Sequence, residues 1–194
     1  MANIISVETF ETIQSKWGHA SSWAWWSPKD ETGKEKSGMS TLPTKNVVHC
    51  LNANVVLVGL NISRRIDRPF GNFHPEHSSA QDYKMRHAVN GTCFSEAYMT
   101  DIIKDFEQKV SGKLMKYLRQ NKDFERQNVL KFEEELGDLG CTNPVIVALG
   151  SDSYKILKRN LGDKYRIYKV SHYSAFLTKE KLRTEFEALE KQLQ

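Results

Sequence analysis

The fold is decided by residues 54–61, which read NVVLVGLN. A short aliphatic and β-branched run that ends in glycine and asparagine is typical of a strand buried on both faces of a parallel sheet. Residues 144–150, which read PVIVALG, repeat the pattern. Residues 94–103 and 165–170 are interpreted as two further strands, so the sequence predicts four.

Apolar residues recur at helical spacing between these strands, as Phe10, Ile13 and Trp17 do near the start of the chain. Strands that alternate with helices predict an α/β fold, here a three-layer α/β/α sandwich with a four-stranded, mainly parallel central sheet. The length of 194 residues suits a single domain over residues 1–194. We expect Ser151 or Asp152 to cap one helix. The predicted helices are 8–17, 79–88, 113–120, 124–136, 151–161 and 178–193.

Two features stand out in the N-terminal part of the chain. A tryptophan-rich segment contains Trp23, Trp25 and Trp26, and a polar loop follows at about residues 27–46. Tryptophans this close to a helix are usually packing residues. Trp25 and Trp26 cannot both point inward from a regular strand, so we expect one of them to be free for a surface role.

The composition is that of a soluble globular protein, with 39% hydrophobic and 27% charged residues and a net charge of +4. Mild basicity is compatible with a polyanionic partner without identifying one. Cys50, Cys93 and Cys141 form neither a CxxC pair nor a zinc-type cluster, so we expect no metal and a reducing compartment. The sequence shows no signal-peptide pattern and no apolar run of membrane-spanning length. We therefore expect a cytoplasmic monomer, located with the nucleoid in a bacterium, that has no cofactor and no membrane partner.

Polar residues follow the predicted strands. In parallel sheets, ligands bind at the carboxyl ends of the strands. Those ends are here Gly59-Leu60-Asn61, Thr100-Asp101, Gly150-Ser151 and residues 171–174. These groups could contact a planar, hydrogen-bonding ligand. The chain has no GxGxxG and no GxxxxGK[ST] phosphate loop, which argues against dinucleotide and triphosphate chemistry.

Taken in order, these strand ends resemble the motifs of the uracil-DNA glycosylase superfamily, and most closely its mismatch-specific (thymine-DNA glycosylase) and single-strand-selective branches. Gly59-Leu60-Asn61 resembles the start of the first motif, Gly-x-Asn-Pro-Gly, although Ile62-Ser63 follows here. Pro69-Phe70 ahead of His74-Pro75 resembles a Pro-Phe and His-Pro pairing. Residues 98–103 resemble the strand that reads the base edge, residues 145–150 the penultimate strand, and His172-Tyr173-Ser174 the final His-Pro-Ser. The resemblance covers about residues 54–177 and indicates a divergent member.

The resemblance implies a role for each of these residues. Asn61 would orient the water that attacks the sugar, and His172 would donate a hydrogen bond to a base carbonyl and stabilise the departing anion. Phe70 would stack on the flipped base, beside Gly59 and Leu60. Each residue also has a structural alternative: Asn61 could hold the next loop, Phe70 could be a core aromatic, and His172 could be an ordinary structural histidine.

Contacts with DNA, single- or double-stranded, are expected from two loops. Arg64, Arg65 and Arg68 would contact phosphates, with His74 and His77 nearby, unless this is simply a solvated loop. The final motif would contribute contacts from Ser174 to a phosphate and from Phe176 or Leu177 as a wedge in the duplex. Phe176 and Leu177 could equally be core residues that open the last helix.

Asp101 departs from the family, whose members usually carry an amide here. An ionised carboxylate only accepts hydrogen bonds, so it matches the N4 amino group of cytosine and repels a carbonyl oxygen. Its structural alternative is an ion pair with Lys104 or a loop arginine.

The sequence therefore predicts a monofunctional DNA glycosylase that acts on a modified cytosine-type base. Hydroxymethylated or glucosylated cytosines of phage DNA would suit a defence role. Three alternatives stay open: a conventional uracil or mismatch repair glycosylase, a nucleic-acid-binding module without catalysis, and an enzyme of free nucleosides or nucleotides on a similar sheet.

Overall fold

The computed structural model describes residues 5–26, 42–75, 80–104 and 106–194. These residues form one five-stranded sheet in the order β1-β3-β2-β4-β5. Strands β2 to β5 are mutually parallel, and β1 runs antiparallel to β3 at one edge. The strands are β1 (Ser21–Trp23), β2 (Asn52–Asn61), β3 (Ala97–Ile103), β4 (Val145–Leu149) and β5 (Ile167–Val170).

Helices cover both faces of this sheet. One apolar core lies between the sheet and α1, α3, α4 and α5, and the other lies between the sheet and α2 and α6. The predicted three-layer α/β/α architecture is therefore confirmed. The helices are α1 (Val7–Trp17), α2 (Tyr83–Val89), α3 (Ser111–Gln120), α4 (Lys122–Asp138), α5 (Ser151–Leu161) and α6 (Lys179–Leu193), and a 3₁₀ helix spans Lys45–Cys50.

The sheet has one strand more than the four predicted. The tryptophan-rich segment supplies β1, whose residues Ser21, Ser22 and Trp23 pair with β3 and are all buried. Three residues are too few to display a period of two, and the pairing partner is far away in sequence. The strand was therefore not visible in the local pattern.

The tryptophans after β1 are both partly buried. Trp25 packs against the core on the α1 side, and Trp26 packs against the opposite core, where its indole N–H donates to Asp82 at 3.1 Å. The prediction that one of them is free for a surface role is wrong, because the chain leaves the sheet after Trp23 and lets the two rings reach different cores.

Two further predictions need correction. The residue before α5 is Gly150, with a φ of +96°, and no side chain caps this helix, so neither Ser151 nor Asp152 is the cap. Of the predicted polar loop, residues 27–41 lie outside the described part of the chain, and its last two residues begin the 3₁₀ helix Lys45–Cys50. Within the described ranges, no helix has the length and apolarity needed to cross a membrane.

Candidate functional site

The carboxyl ends of β2, β3, β4 and β5 border one cavity of about 740 Å³. Each strand end contributes to its wall: Asn61 ends β2, Asp101 lies near the end of β3, Gly150 follows β4 and His172 follows β5. The structure thus brings together Asn61, Asp101 and His172, because parallel strands end at the same edge of a sheet. Other side chains on the wall come from the loops and include Leu60, Arg64, Asn72, Phe73, Lys109, Tyr173 and Ser174.

Asn61 holds two loops together at the cavity. Its side-chain NH₂ donates to the backbone carbonyls of Ile62 at 2.7 Å, Phe106 at 2.9 Å and Gln108 at 3.0 Å. Three surrounding acceptors determine the orientation of the amide, so its oxygen is directed away from them. The structural alternative for Asn61 is therefore realised. The water-orienting role stays a prediction, for which only the side-chain oxygen is left.

Asp101 is buried at the cavity wall, with 2% of its surface exposed. One carboxylate oxygen, Oδ2, accepts a hydrogen bond of 2.8 Å from Asn72 Nδ2, which also donates to the carbonyl of Ala20. The Asn72 side-chain oxygen accepts from the backbone N–H of Phe73. A buried amide thus orients the carboxyl and leaves Oδ1 as its second oxygen.

Glycine at position 59 is required by this carboxyl. A Cβ there would lie 2.3 Å from Asp101 Oδ1 and 3.1 Å from the ring of Phe73. Gly59 therefore leaves room for the Asp101 carboxyl and the Phe73 ring beneath the cavity wall. Leu60, which was predicted as a base-binding residue together with Gly59, lies on the wall itself.

The ion pair between Asp101 and Lys104, which was the structural alternative for Asp101, is not formed. Lys104 Nζ donates to the backbone carbonyl of Asp101 at 2.6 Å but pairs with the carboxylate of Glu135 on the other face of β3. Burial raises the pKa of Asp101 from 3.8 to about 7, and the Asn72 hydrogen bond and the charge of Lys104 only partly oppose this. The carboxyl therefore changes between its protonated and ionised forms near neutral pH. It is not the permanent hydrogen-bond acceptor that the sequence suggested.

His172 is a neutral hydrogen-bond donor at this wall. Its Nδ1 accepts from the backbone N–H of Ser174 at 3.2 Å and lies 2.7 Å from the Ser174 hydroxyl, which assigns the ring proton to Nε2. Loss of hydration lowers the pKa of His172 to about 4. The ring stacks on Tyr173 with centroids 4.4 Å apart, and a Cβ at Gly150 would lie 3.2 Å from its Cβ.

Of the two loop phenylalanines, Phe73 lines the cavity and Phe70 does not. Phe70 is 1% exposed and packs against Phe10 of α1, with ring centroids 5.2 Å apart. Both phenylalanines have positive φ, 63° for Phe70 and 65° for Phe73, so the loop turns sharply twice. The prediction for Phe70 is corrected accordingly, since its ring faces the core and Phe73 takes its place beside Asp101.

The arginine loop, which follows β2 and carries Arg64, Arg65 and Arg68, uses one of these side chains to hold its own backbone. The Arg64 guanidinium lines the cavity but donates to the carbonyls of Arg65 and of Gly71, at 3.1 and 2.9 Å. Arg65 is exposed and lies 3.6 Å from Asp67, and Arg68 is exposed. Arg64 therefore braces the loop, and only the other two side chains project into solvent.

His74 does not add to the surface of that loop. His74 is 1% exposed, and its Nε2 lies 3.1 Å from the carbonyl of Trp23. Burial lowers the pKa of His74 to about 4, so it is neutral near pH 7. His77 lies outside the described residues.

The segment after β5 divides into a surface residue and a packing residue. Phe176 is fully exposed, whereas Leu177 packs against the core between the sheet and α6. Ser174 is exposed at the cavity, where its hydroxyl is engaged with His172. A wedge from this segment would therefore be Phe176, because Leu177 is held in the core.

The cavity-lining residues that were not predicted include Asn72, Phe73 and Lys109. Phe73 stands three residues after Phe70, and only the loop conformation decides which ring faces the cavity. Asn72 carried no sequence signal, because its contacts are with Ala20 and Asp101, far away in the chain. Lys109 belongs to a basic run over residues 109–122 that is visible in the sequence.

No family model, curated protein or solved structure matches this chain. The glycosylase resemblance therefore rests on its motifs and stays a prediction. Among the described residues, no cluster of three or more His, Cys, Asp or Glu side chains could hold a metal ion.

Proposed function

We propose that the chain is a DNA glycosylase that binds a flipped cytosine-type base in the cavity and hydrolyses its N-glycosidic bond. The observation that carries this proposal is the buried Asp101 carboxyl, which is oriented by Asn72, forms no ion pair within the described residues, and lies on the same wall as Asn61 and His172. A buried carboxyl with a raised pKa in a cavity is characteristic of a functional site.

The chemistry assigns one task to each group. The base stacks beside Phe73, and ionised Asp101 accepts a hydrogen bond from its N4 amino group through Oδ1. As the bond between C1′ and the base nitrogen breaks, the electron pair remains on the base, where the His172 Nε2–H stabilises charge on the carbonyl oxygen. Water held at the Asn61 side-chain oxygen adds to C1′ and releases its proton to solvent.

The ionisation of Asp101 makes base selection dependent on pH. Above pH 7 its carboxylate accepts from an amino group, and below pH 7 its protonated form donates to a carbonyl oxygen such as O4 of uracil. We expect the ratio of cytosine-type to uracil excision to rise about a hundredfold between pH 6 and pH 8, following the ratio of ionised to protonated Asp101. Asp101→Asn should lose this pH dependence and favour uracil.

The test is parallel excision from oligonucleotides that each carry one uracil, cytosine, 5-hydroxymethylcytosine or glucosylated 5-hydroxymethylcytosine, followed by alkaline cleavage at abasic sites. Wild type and Asp101→Asn are compared at pH 6 and pH 8. Uracil excision by the wild type that exceeds cytosine-type excision at pH 8 would show that Asp101 does not read the base.

One observation favours a second function, a binding module without catalysis. The NH₂ of Asn61 is fully used in bracing Ile62, Phe106 and Gln108, which is what a purely structural asparagine would do. This alternative predicts tight binding of the same oligonucleotides with no base released from any of them.

A further inference from the structure

A row of basic side chains leads away from the cavity along α3. Lys109 lies on the cavity wall, and Lys113, Lys116 and Arg119 follow at three-residue intervals on the exposed side of the helix. Lys122 continues the row at the start of α4. We call these five residues the basic row.

The rotation of α3 is determined by its packing. Leu114 and Leu118 are fully buried in the core and fix the opposite side of the helix against the sheet. Residues three apart share a face of a helix, so Lys113, Lys116 and Arg119 project together into solvent.

In the part of the chain that the structure describes, no carboxylate forms an ion pair with the basic row. Helix α3 contains no aspartate or glutamate, and none of the five cations forms an ion pair with a carboxylate in the described ranges. Elsewhere in those ranges Lys16, Arg159 and Lys164 do pair with carboxylates. Five cations without an ion-pair partner in the described ranges therefore lie in one row that begins at the cavity.

The start of the basic row is fixed relative to the cavity. Asn61 donates to the carbonyls of Phe106 and Gln108, and the backbone N–H of Gln108 donates to the carbonyl of Ile62 at 3.1 Å. These bonds tie the segment that precedes Lys109 to the end of β2. A ligand bound in the cavity and a ligand bound along α3 would therefore be held at a fixed position relative to each other.

We propose that the basic row binds the sugar–phosphate backbone of the nucleic acid strand whose target nucleotide enters the cavity. This inference rests on the proposed function, since it supplies the path of the flanking strand. A helix rises 1.5 Å per residue, so Lys113 to Arg119 spans about 9 Å, comparable to two or three phosphates of one strand at about 3.4 Å each along the duplex axis. Regularly spaced, unpaired cations that continue from a cavity match a regular polyanion better than a single acidic group.

The basic row is a stronger candidate for phosphate binding than the arginine loop. Arg64 donates to carbonyls of its own loop, and Arg65 lies beside Asp67. The residues of the basic row have no such commitments in the described structure. We therefore expect α3 to contribute more to the salt dependence of binding than the loop that the sequence pointed to.

The test is a triple variant, Lys113→Gln, Lys116→Gln and Arg119→Gln, compared with a control, Lys45→Gln, Lys158→Gln and Lys191→Gln. The control removes the same charge from exposed residues that form no ion pair with a described carboxylate. Lys45 precedes β2, and Lys158 and Lys191 lie in the last turns of α5 and α6, so all three belong to the edge of the sheet opposite the cavity.

Binding of a fluorescent 20-nucleotide DNA, single-stranded and duplex, is measured between 50 and 200 mM salt without any requirement for excision. We expect the α3 variant to lower the slope of log affinity against log salt by about two units and to bind about ten- to a hundredfold more weakly at 50 mM. The control should change affinity by less than about threefold. Equal slopes for the α3 variant and the control would overturn the proposal.

Two additional measurements separate the alternatives. If the wild type releases no base but the α3 variant still loses binding, the glycosylase proposal fails and the basic row survives. Vesicles that contain phosphatidylserine provide the second measurement. Loss of vesicle binding in the α3 variant with unchanged DNA binding would overturn the nucleic-acid assignment in favour of an anionic lipid surface.

Discussion

Two buried carboxyl groups, Glu135 and Asp101, lie on opposite sides of strand β3 and differ in what surrounds them. Glu135 accepts from Lys104 at 2.5 Å and from the hydroxyls of Tyr98 and Thr100, each at 2.8 Å. Lys104 is itself fully buried and also donates to the hydroxyl of Thr100 at 2.6 Å. Three protein side chains therefore donate hydrogen bonds to Glu135.

Asp101 has almost the same burial and far fewer partners. Among the described residues, a single neutral amide, from Asn72, donates to its carboxyl, and its pKa rises to about 7. Burial disfavours a charge unless a partner compensates it, so the number and charge of the partners decide whether a buried carboxyl is structural or available for a ligand. One side of β3 thus holds a carboxyl in an ion pair, and the other side holds a carboxyl with one neutral donor among the described residues.

Breaking the structural ion pair should have the largest effect. Lys104→Met leaves Glu135 buried without its cation, and we expect the free energy of unfolding to fall by about 3–5 kcal/mol at pH 7. Urea denaturation followed by circular dichroism measures this loss.

The control for this variant is the double change Lys104→Met with Glu135→Gln, which removes both charges and should recover a substantial part of the stability. A Lys104→Met protein as stable as the wild type would show that the buried pair contributes nothing and that the contrast with Asp101 is false.

Neutralising Asp101 should raise the free energy of unfolding, whereas breaking the ion pair at Lys104 should lower it. The pKa of Asp101 is raised in the folded protein, so its contribution to stability is complete below pH 3.8 and is lost as the pH rises through about 7. Asp101→Asn avoids that loss and keeps an acceptor for Asn72. We expect the stability advantage of the variant over the wild type to grow by about 2–3 kcal/mol between pH 5 and pH 8.

Urea denaturation of both proteins at pH 5, 6, 7 and 8 checks this difference. His74 and His172, whose pKa values are lowered to about 4, destabilise both proteins alike as the pH falls below 6.5. A stability difference that does not change with pH would contradict a raised pKa at Asp101.

The smallest effect is expected from a methyl group beneath the same carboxyl. Gly59→Ala places a Cβ against Asp101 Oδ1 and the Phe73 ring and should cost about 1–3 kcal/mol. The matched change is Gly112→Ala in α3, where nothing lies within 4 Å of the added Cβ. It should stabilise the protein by about 0.5–1 kcal/mol because alanine favours a helix.

Thermal and urea unfolding of the two alanine variants give this comparison directly. Equal changes for both would mean that the close approach of Asp101 to Gly59 imposes no constraint, and the assigned orientation of the carboxyl would then be wrong.

Local sequence patterns predicted much of the fold and part of the cavity. The apolar runs that became β2 and β4 and the helical spacing of α1 and α6 were visible directly, because burial in regular elements produces a short period. Asn61, Asp101 and His172 could be expected near one another because each follows or ends a predicted parallel strand. Their placement in one cavity is a consequence of sheet geometry.

Local sequence patterns did not predict the conformation of the loop between β2 and α2. Phe70 and Phe73 are equally plausible aromatics in the sequence, yet two backbone positions with positive φ send the first ring into the core on the α1 side and the second into the opposite core, where it also lines the cavity. Strand β1 and the Asn72 amide were invisible for a similar reason, since each is defined by contacts with residues far along the chain.

The sequence by itself determined the layers of this protein, the parallel strands and the polar residues at their carboxyl ends, because hydrophobic periodicity records which residues are buried. It also determined that position 101 is acidic. Only the tertiary structure decided that Lys104 turns to Glu135 and not to the carboxyl of Asp101, and that a single amide holds that carboxyl at the cavity wall. The state of a buried charge depends on the partners that folding assembles around it, and those partners come from β1, β2, α4 and their loops, which no local pattern connects.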